Sequence, residues 1–238
     1  MGKHVRKDRV KGSQSDLRRL IEHCPELLNA RVRSAFGLRA DHRIEWVSPL
    51  SPDYAEYSDN DFLHILGLDS DSANLSDFWP SGGPHWDALA KGDDDCVFLV
   101  EAKAHIRELV STPSSAREDS LKRIAKQLEA TKAYLHATER IDWTQHFFQY
   151  GNRLAHLRFL RVDRSIPAFL IFLYFIGDTD VGGPSTKEQW LGAIELLHGF
   201  LGIKRTKLTP FVTDLFIHVD EIRSNRGLPA ANDSVPKD

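Results

Sequence analysis

Trp86-Asp87-Ala88-Leu89, a charged turn at Lys91-Gly92-Asp93-Asp94-Asp95, and then Cys96-Val97-Phe98-Leu99-Val100-Glu101-Ala102-Lys103 decide the reading of this chain. Two short apolar segments around a glycine-led polar turn predict a β-hairpin. Cys96 to Val100 is an unbroken apolar run, the composition of a strand buried on both faces. Side chains alternate across a strand, so residues two apart share a face, about 6.6 Å from one another. Glu101 and Lys103 therefore point one way, and Val100 and Ala102 the other. The three aspartates of the turn read as solvated turn residues and not as ligands. A carboxylate and an ammonium at the end of such a strand, facing Asp87 on the first, suit a divalent cation with a water beside it. The competing reading is a solvated sheet face on which Glu and Lys alternate with apolar residues, with Asp87 an ordinary turn neighbour.

The pattern of Asp87 followed by Glu101-Ala102-Lys103 resembles the PD-(D/E)xK nuclease superfamily, also called restriction-endonuclease-like. Its signature is an Asp, a variable spacer, and Glu-x-Lys at a strand end. The resemblance covers residues 80–140. The Pro-Asp dipeptide is absent: Trp86 precedes Asp87, and the nearest proline is Pro84. The resemblance implies an α/β fold with a restriction-endonuclease-like core, a mixed β-sheet flanked by helices. It implies Asp87, Glu101 and Lys103 as catalytic residues. Asp87 and Glu101 would hold Mg2+ (or Mn2+), with the Ala102 carbonyl as a further ligand. Lys103 would orient the attacking water or stabilise the pentacovalent phosphorus. The implied activity is metal-dependent hydrolysis of phosphodiester bonds, with DNA preferred over RNA as the nucleic-acid partner. An upstream acid is expected at Glu56, with Glu22, Glu26 and Glu45 as rivals. Two alternatives stay open: a catalytically silent nucleic-acid-binding or regulatory module on the same fold, and a hydrolase of small phosphoesters with a closed pocket.

The composition sets the outer limits. At 238 residues, 41% hydrophobic and 27% charged, the chain is long enough to bury a sizeable core. A formal net charge of -3 excludes a globally basic nucleic-acid binder, although a local basic groove suffices to hold phosphates. Cys24 and Cys96 sit in apolar surroundings, as buried thiols do in a reducing compartment. The His and Cys residues show no zinc-ligand spacing. The longest apolar stretch, Pro167 to Ile176, is too short to cross a bilayer and reads as a buried strand. With no apolar segment after Met1 to act as a secretory signal, a cytoplasmic protein is expected. Residues 1–12 read as a basic flexible tail, 13–224 as a single domain, and 225–238 as a second flexible tail.

Outward from the hairpin, Ser13 and Asp16 predict a capping box opening a helix, and Pro25 the first turn of a second helix ended by Gly37. Arg43 to Val47 alternates as a strand, and Tyr54 to Leu66 carries a helical pattern. Asp69 to Asn74 is a polar loop that lacks the glycine and glutamate of a calcium loop. Phe78 to Pro84 is a rigid approach that either passes close to substrate or is a turn packed by tryptophan. Ser115 and Glu118 predict a capping box for a helix to His136, with Leu121, Ile124, Leu128, Thr131 and Leu135 as its packing stripe. Gln127 on that helix is a candidate to reach the site. A further helix over 143–161 carries Tyr150, Asn152 and Arg153, suited either to a nucleic-acid strand or to core and surface roles. A strand over 167–175, a helix over 190–201 and a strand over 210–219 complete the pattern.

Overall fold

The apolar run after the charged turn forms the central strand of a five-stranded sheet. The structure is a computed structural model that describes residues 2–5, 11–68, 74–204 and 207–224. Its elements, in chain order, are β1 (Lys3–His4), α1 (Ser13–His23), α2 (Pro25–Phe36), β2 (Ile44–Ser48), β3 (Glu56–Tyr57), α3 (Asp59–Ile65), β4 (Ala88–Gly92) and β5 (Val97–Lys103). They continue with α4 (Glu118–Leu135), α5 (Phe148–Arg158), β6 (Ala168–Ile176), α6 (Lys187–Leu201), β7 (Val212–His218) and α7 (Val219–Ser224).

The sheet runs β2-β4-β5-β6-β7. β2, β4 and β5 form an antiparallel meander, and β6 and β7 continue it in parallel with β5. Parallel neighbours require crossovers, which α4 and α5 supply between β5 and β6, and α6 between β6 and β7. The fold is therefore α/β, with a mixed sheet flanked by helices.

Every residue of β5 is buried, as an apolar run in mid-sheet requires. Alternation sends Val97 and Leu99 into one core with Ile124 and Leu128 of α4, Leu154 of α5 and Trp190 of α6. Phe98, Val100 and Ala102 enter the opposite core with Leu17 and Leu20 of α1 and Leu28 and Val32 of α2. Each such side chain contributes about 1.5–3 kcal/mol on full burial. A one-residue slip of β5 would exchange the faces and push Glu101 into the α1–α2 core, so burial fixes the register.

Several boundaries differ from the sequence reading. Neither predicted capping box forms: α1 follows Gly12 and α4 follows Arg117, both without a side-chain cap. Asp16 is instead buried. The second helix does begin at Pro25 and ends at Gly37, whose φ of 63° is the left-handed cap that glycine adopts without strain. The helical pattern over 54–66 divides into β3 and α3, because β3 is drawn into pairing with β1 and Tyr57 bridges to Trp86. Within the stretch read as a loose N-terminal tail, Lys3 and His4 thus pair with Tyr57 and Glu56. The helix read over 143–161 begins only at Phe148 and passes into a π-turn at Phe159–Asp163. Cys24 and Cys96 are both buried free thiols. The C-terminal tail from residue 225, Arg6, Lys7 and Arg9 of the basic N-terminus, and Asp69 to Ser72 of the polar loop lie outside the described residues.

Candidate functional site

β4 and β5 pair with Ala88 opposite Val100 and Leu89 opposite Leu99. Asp87 lies just outside that ladder, and its amide donates to the Val100 carbonyl at 3.1 Å, so Asp87 and Ala88 both meet Val100 in a bulge. Glu101 and Lys103 share one face of β5, and the charges of both act on the Asp87 carboxyl. The three residues named from the sequence converge. Asp87 stands just before the regular ladder, and its Oδ2 accepts the Ala102 amide at 2.8 Å. The N–H and C=O of one strand residue point to the same side, which aims the Ala102 carbonyl toward Asp87 as well.

Glu101 is 2% exposed and lies between two cations. Lys103 Nζ donates to its Oε1, and Arg153 Nε donates to its Oε2 at 2.7 Å. Arg153 also donates to Asn152 Oδ1 at 2.9 Å and to the His85 carbonyl at 2.8 Å, with its guanidinium 4.8 Å above the Trp86 ring. Lys103 donates further to Gln149 Oε1 at 2.9 Å. Burial opposes charge on Glu101, but Arg153 and Lys103 outweigh it and hold the carboxyl below its ordinary range. Burial likewise opposes charge on Lys103, and the carboxylates of Glu101 and Asp87 outweigh it, so the ammonium persists at neutral pH.

Asp87 goes the other way. Burial and the neighbouring Glu101 charge push its carboxyl up to about 8, against the pull of Lys103, with Glu56 adding to the push. An acid whose pKa is raised on folding holds its proton in the native state where the unfolded chain has lost it. Its contribution to stability is complete below the ordinary Asp value and lost as pH climbs toward about 8. Asp87→Asn should therefore gain melting temperature over the wild type as pH rises from 5 to about 8, when melted without divalent cations. A gap between the two proteins that stays constant over that range would contradict the assignment.

Asp87 opens onto a cleft of about 840 Å3. Loop 79–85, the segment 111–117, Ser120 of α4 and Gln149, Asn152 and Arg153 of α5 enclose it, mostly with polar groups. Arg117, which precedes α4, is a second cation on its wall. Glu101 and Lys103 lie beneath, beside a void of about 10 Å3 that Gln149 also borders. Gln149 and Arg153 thus form a layer between the cleft and the Glu-x-Lys pair.

The remaining sequence candidates separate. Glu56 is buried and its charge acts on Asp87, but it lies on β3 and not on a helix, and its Oε1 accepts Gln14 Nε2 at 2.6 Å. Of its rivals, Glu26 pairs with Arg33, Glu45 is exposed on β2 opposite Lys91, and Glu22 hydrogen-bonds Tyr54. Gln127 does not reach the site: its Oε1 accepts Arg158. The glutamine that touches Lys103 is Gln149, which sequence reasoning missed. Its signal is the four-residue spacing to Arg153, which places both on one face of α5. Arg153 is neither a surface cation nor grouped with Tyr150, whose hydroxyl pairs with His198. In the Phe78–Pro84 approach Trp79 is buried against Phe78 and His156, as a turn packed by tryptophan requires, Asp59 accepts the Gly82 and Gly83 amides, and residues 79–84 wall the cleft.

A divalent cation here would rest on few protein ligands. Among the described residues no group of three or more His, Cys, Asp and Glu is arranged to hold a metal ion. Asp87, destabilised as an anion by burial and by the Glu101 charge, is a carboxylate that a cation would relieve. Oxygen donors from Asp87, Glu101 and the Ala102 carbonyl suit Mg2+ or Mn2+, which keep several waters. The residues fit such an ion at Asp87, while at Glu101 it must contend with Arg153. No family model, curated protein or solved structure matches the chain. Among the described residues no helix is long and apolar enough to cross a membrane.

Proposed function

We propose that the chain is a metal-dependent nuclease of restriction-endonuclease-like type, acting on phosphodiester bonds of DNA in preference to RNA. The observation that carries this reading is the convergence of Asp87, Glu101 and Lys103 at the end of one sheet face, with Asp87 open to the cleft. A mixed sheet flanked by helices is also what the sequence resemblance implies.

Asp87 and Glu101 would hold Mg2+ or Mn2+, with the Ala102 carbonyl beside them. The ion would supply Lewis-acid charge neutralisation at the scissile phosphate. Lys103 is cationic and so serves as a donor, not a base: it offsets charge that develops on phosphorus oxygens. Arg117 and Asn152, together with the hydroxyls of the 111–117 segment, would position the backbone phosphates.

Purified protein should nick plasmid and linear DNA with Mg2+ or Mn2+, while Ca2+ supports binding better than cleavage because its larger, looser shell places oxygens less strictly. Absence of divalent-cation binding, with no cleavage of DNA or RNA under any of these ions, removes the nuclease reading. A second reading, a silent nucleic-acid-binding or regulatory module, is favoured by one observation: Arg153 and Lys103 already occupy both oxygens of Glu101. Under that reading DNA is retained without metal and without turnover.

A further inference from the structure

Two buried carboxyls that do not line the cleft meet where α1 packs on the end of β6. Asp16, in the first turn of α1, is 4% exposed, and Asp178, which follows β6, is 1% exposed. Their side chains hydrogen-bond one another. An ionised carboxylate has no donor, so this contact requires one proton held between the two. Asp178 Oδ1 accepts the Asp180 amide at 3.2 Å, and no other described residue donates to Oδ2 of either aspartate.

The charges that face the pair come from three directions. On α1, Arg19 stands 3.6 Å from Asp16 Oδ1. On α7, Arg223 bears on Asp16 and reaches Asp180 at 3.7 Å and Asp220 at 3.8 Å. On β7, the His218 ring fills the space beside Gly177 and pairs with Asp220 at 3.4 Å. Burial and the Asp178 charge push the Asp16 carboxyl up to about 7, against the pull of Arg19 and Arg223.

The turn that Asp16 fastens has two further anchors. Ser13 Oγ donates to Glu108 Oε2 at 3.1 Å, and Gln14 Nε2 to Glu56 Oε1 at 2.6 Å. Glu108 Oε1 in turn accepts the Ala104 and His105 amides, immediately beyond Lys103. On the Asp178 side, the Gly183 amide donates to the Asp178 carbonyl at 2.9 Å. Gly183 approaches β5 so closely that a Cβ there would collide with the Ala104 carbonyl oxygen. Both members of the pair are thus tied to the segment that leaves the end of β5.

We propose that Asp16 and Asp178 form a pH-sensitive latch. Sharing a proton, they hold the first turn of α1 and residues 178–183 over the strand end that carries Lys103; once both are ionised, they release them. The device stands apart from the nuclease reading, since neither carboxyl lines the cleft or is among the proposed metal ligands. In the released state both carboxyls meet water and ionise in the ordinary Asp range. Opening therefore becomes easier by close to tenfold for each pH unit above that range, and levels off at about 7.

Hydrogen exchange, read residue by residue on the full chain without divalent cations, tests the latch. Protection of the Leu17 and Gly183 amides in the wild type, divided by that in Asp16→Asn, should fall about fiftyfold from pH 5 to 7. The asparagine amide donates to Asp178 at every pH, so the ratio isolates the shared proton. If Asp16→Asn does not fold, Asp178→Asn supplies the same comparison. Both amides should also exchange ahead of Leu173 in the middle of β6, because a latch opens without global unfolding. A ratio that stays constant over this range overturns the shared proton, and protection equal to that of Leu173 overturns the local opening. The fall should persist in His218→Asn; its disappearance there would assign the pH dependence to the histidine and overturn the proposal.

Discussion

Lys103→Ala is expected to slow phosphodiester cleavage on the order of a hundred- to a thousandfold while leaving divalent-cation binding intact. The expectation follows from where the charge sits. Lys103 is buried at 8% exposure and kept protonated by Glu101 and Asp87, in surroundings where a fixed cation acts far more strongly than in water. A preorganised donor of this kind stabilises charge that appears only in the transition state, which is the range of loss seen when one such donor is removed. It is not itself a ligand, and its removal takes a competing positive charge away from both carboxylates, so cation affinity should hold or rise. Asp87→Ala should instead lose binding and cleavage together, because a proposed metal ligand goes. Single-turnover cleavage read beside Mn2+ calorimetry separates the two variants. A Lys103→Ala protein that cleaves at the wild-type rate would remove Lys103 from the chemistry.

The hairpin was legible because its information is local. A glycine-led acidic turn, an unbroken apolar run and a period of two specify the strands, and the period alone puts Glu101 and Lys103 on one face. Asp87, at the open end of the hairpin, needs no distant contact to reach β5: its Oδ2 accepts the Ala102 amide. The groups that finish the site were not legible, because they arrive from far along the chain. Arg153 reaches Glu101 across 52 residues, and Gln149 reaches Lys103 across 46. Both depend on α5 crossing back over the sheet, which no local signal reports. Gln127 and Gln149 look equally suitable as sequence, and only the packing of their helices decides between them. Glu56 was placed on the wrong kind of element for a similar reason: the Tyr57–Trp86 bridge and the pairing with Lys3–His4 override a helical pattern in 54–66. The first capping box failed because Asp16 is drawn into the interior, and the second because the helix opens only at Glu118 after Arg117, leaving Ser115 exposed ahead of it.

Arg153→Met is expected to destabilise the metal-free protein by about 3–5 kcal/mol, the range for removing one partner of a buried ion pair and stranding the other. Glu101 would keep Lys103 but lose its contact at Oε2, while the His85 carbonyl and Asn152 lose a donor. Methionine retains much of the apolar contact with Trp86, so the loss reports chiefly the charge. The same variant should bind Mg2+ or Mn2+ more tightly than the wild type, because the ion no longer contends with a guanidinium for Glu101. Ligand binding stabilises the native state in proportion to the logarithm of concentration over Kd, so Mg2+ should raise the melting temperature of Arg153→Met more than that of the wild type. Adding Asp87→Asn should abolish that extra gain. An equal cation-dependent shift in both proteins would show that Arg153 does not contend with the ion. If the cation stabilises Arg153→Met and leaves the wild type unmoved, the wild-type protein is silent because an arginine occupies the cation's place. If it stabilises both, and the variant more, Arg153 sets the affinity of a working metal site. The two proposed functions therefore diverge at this one side chain.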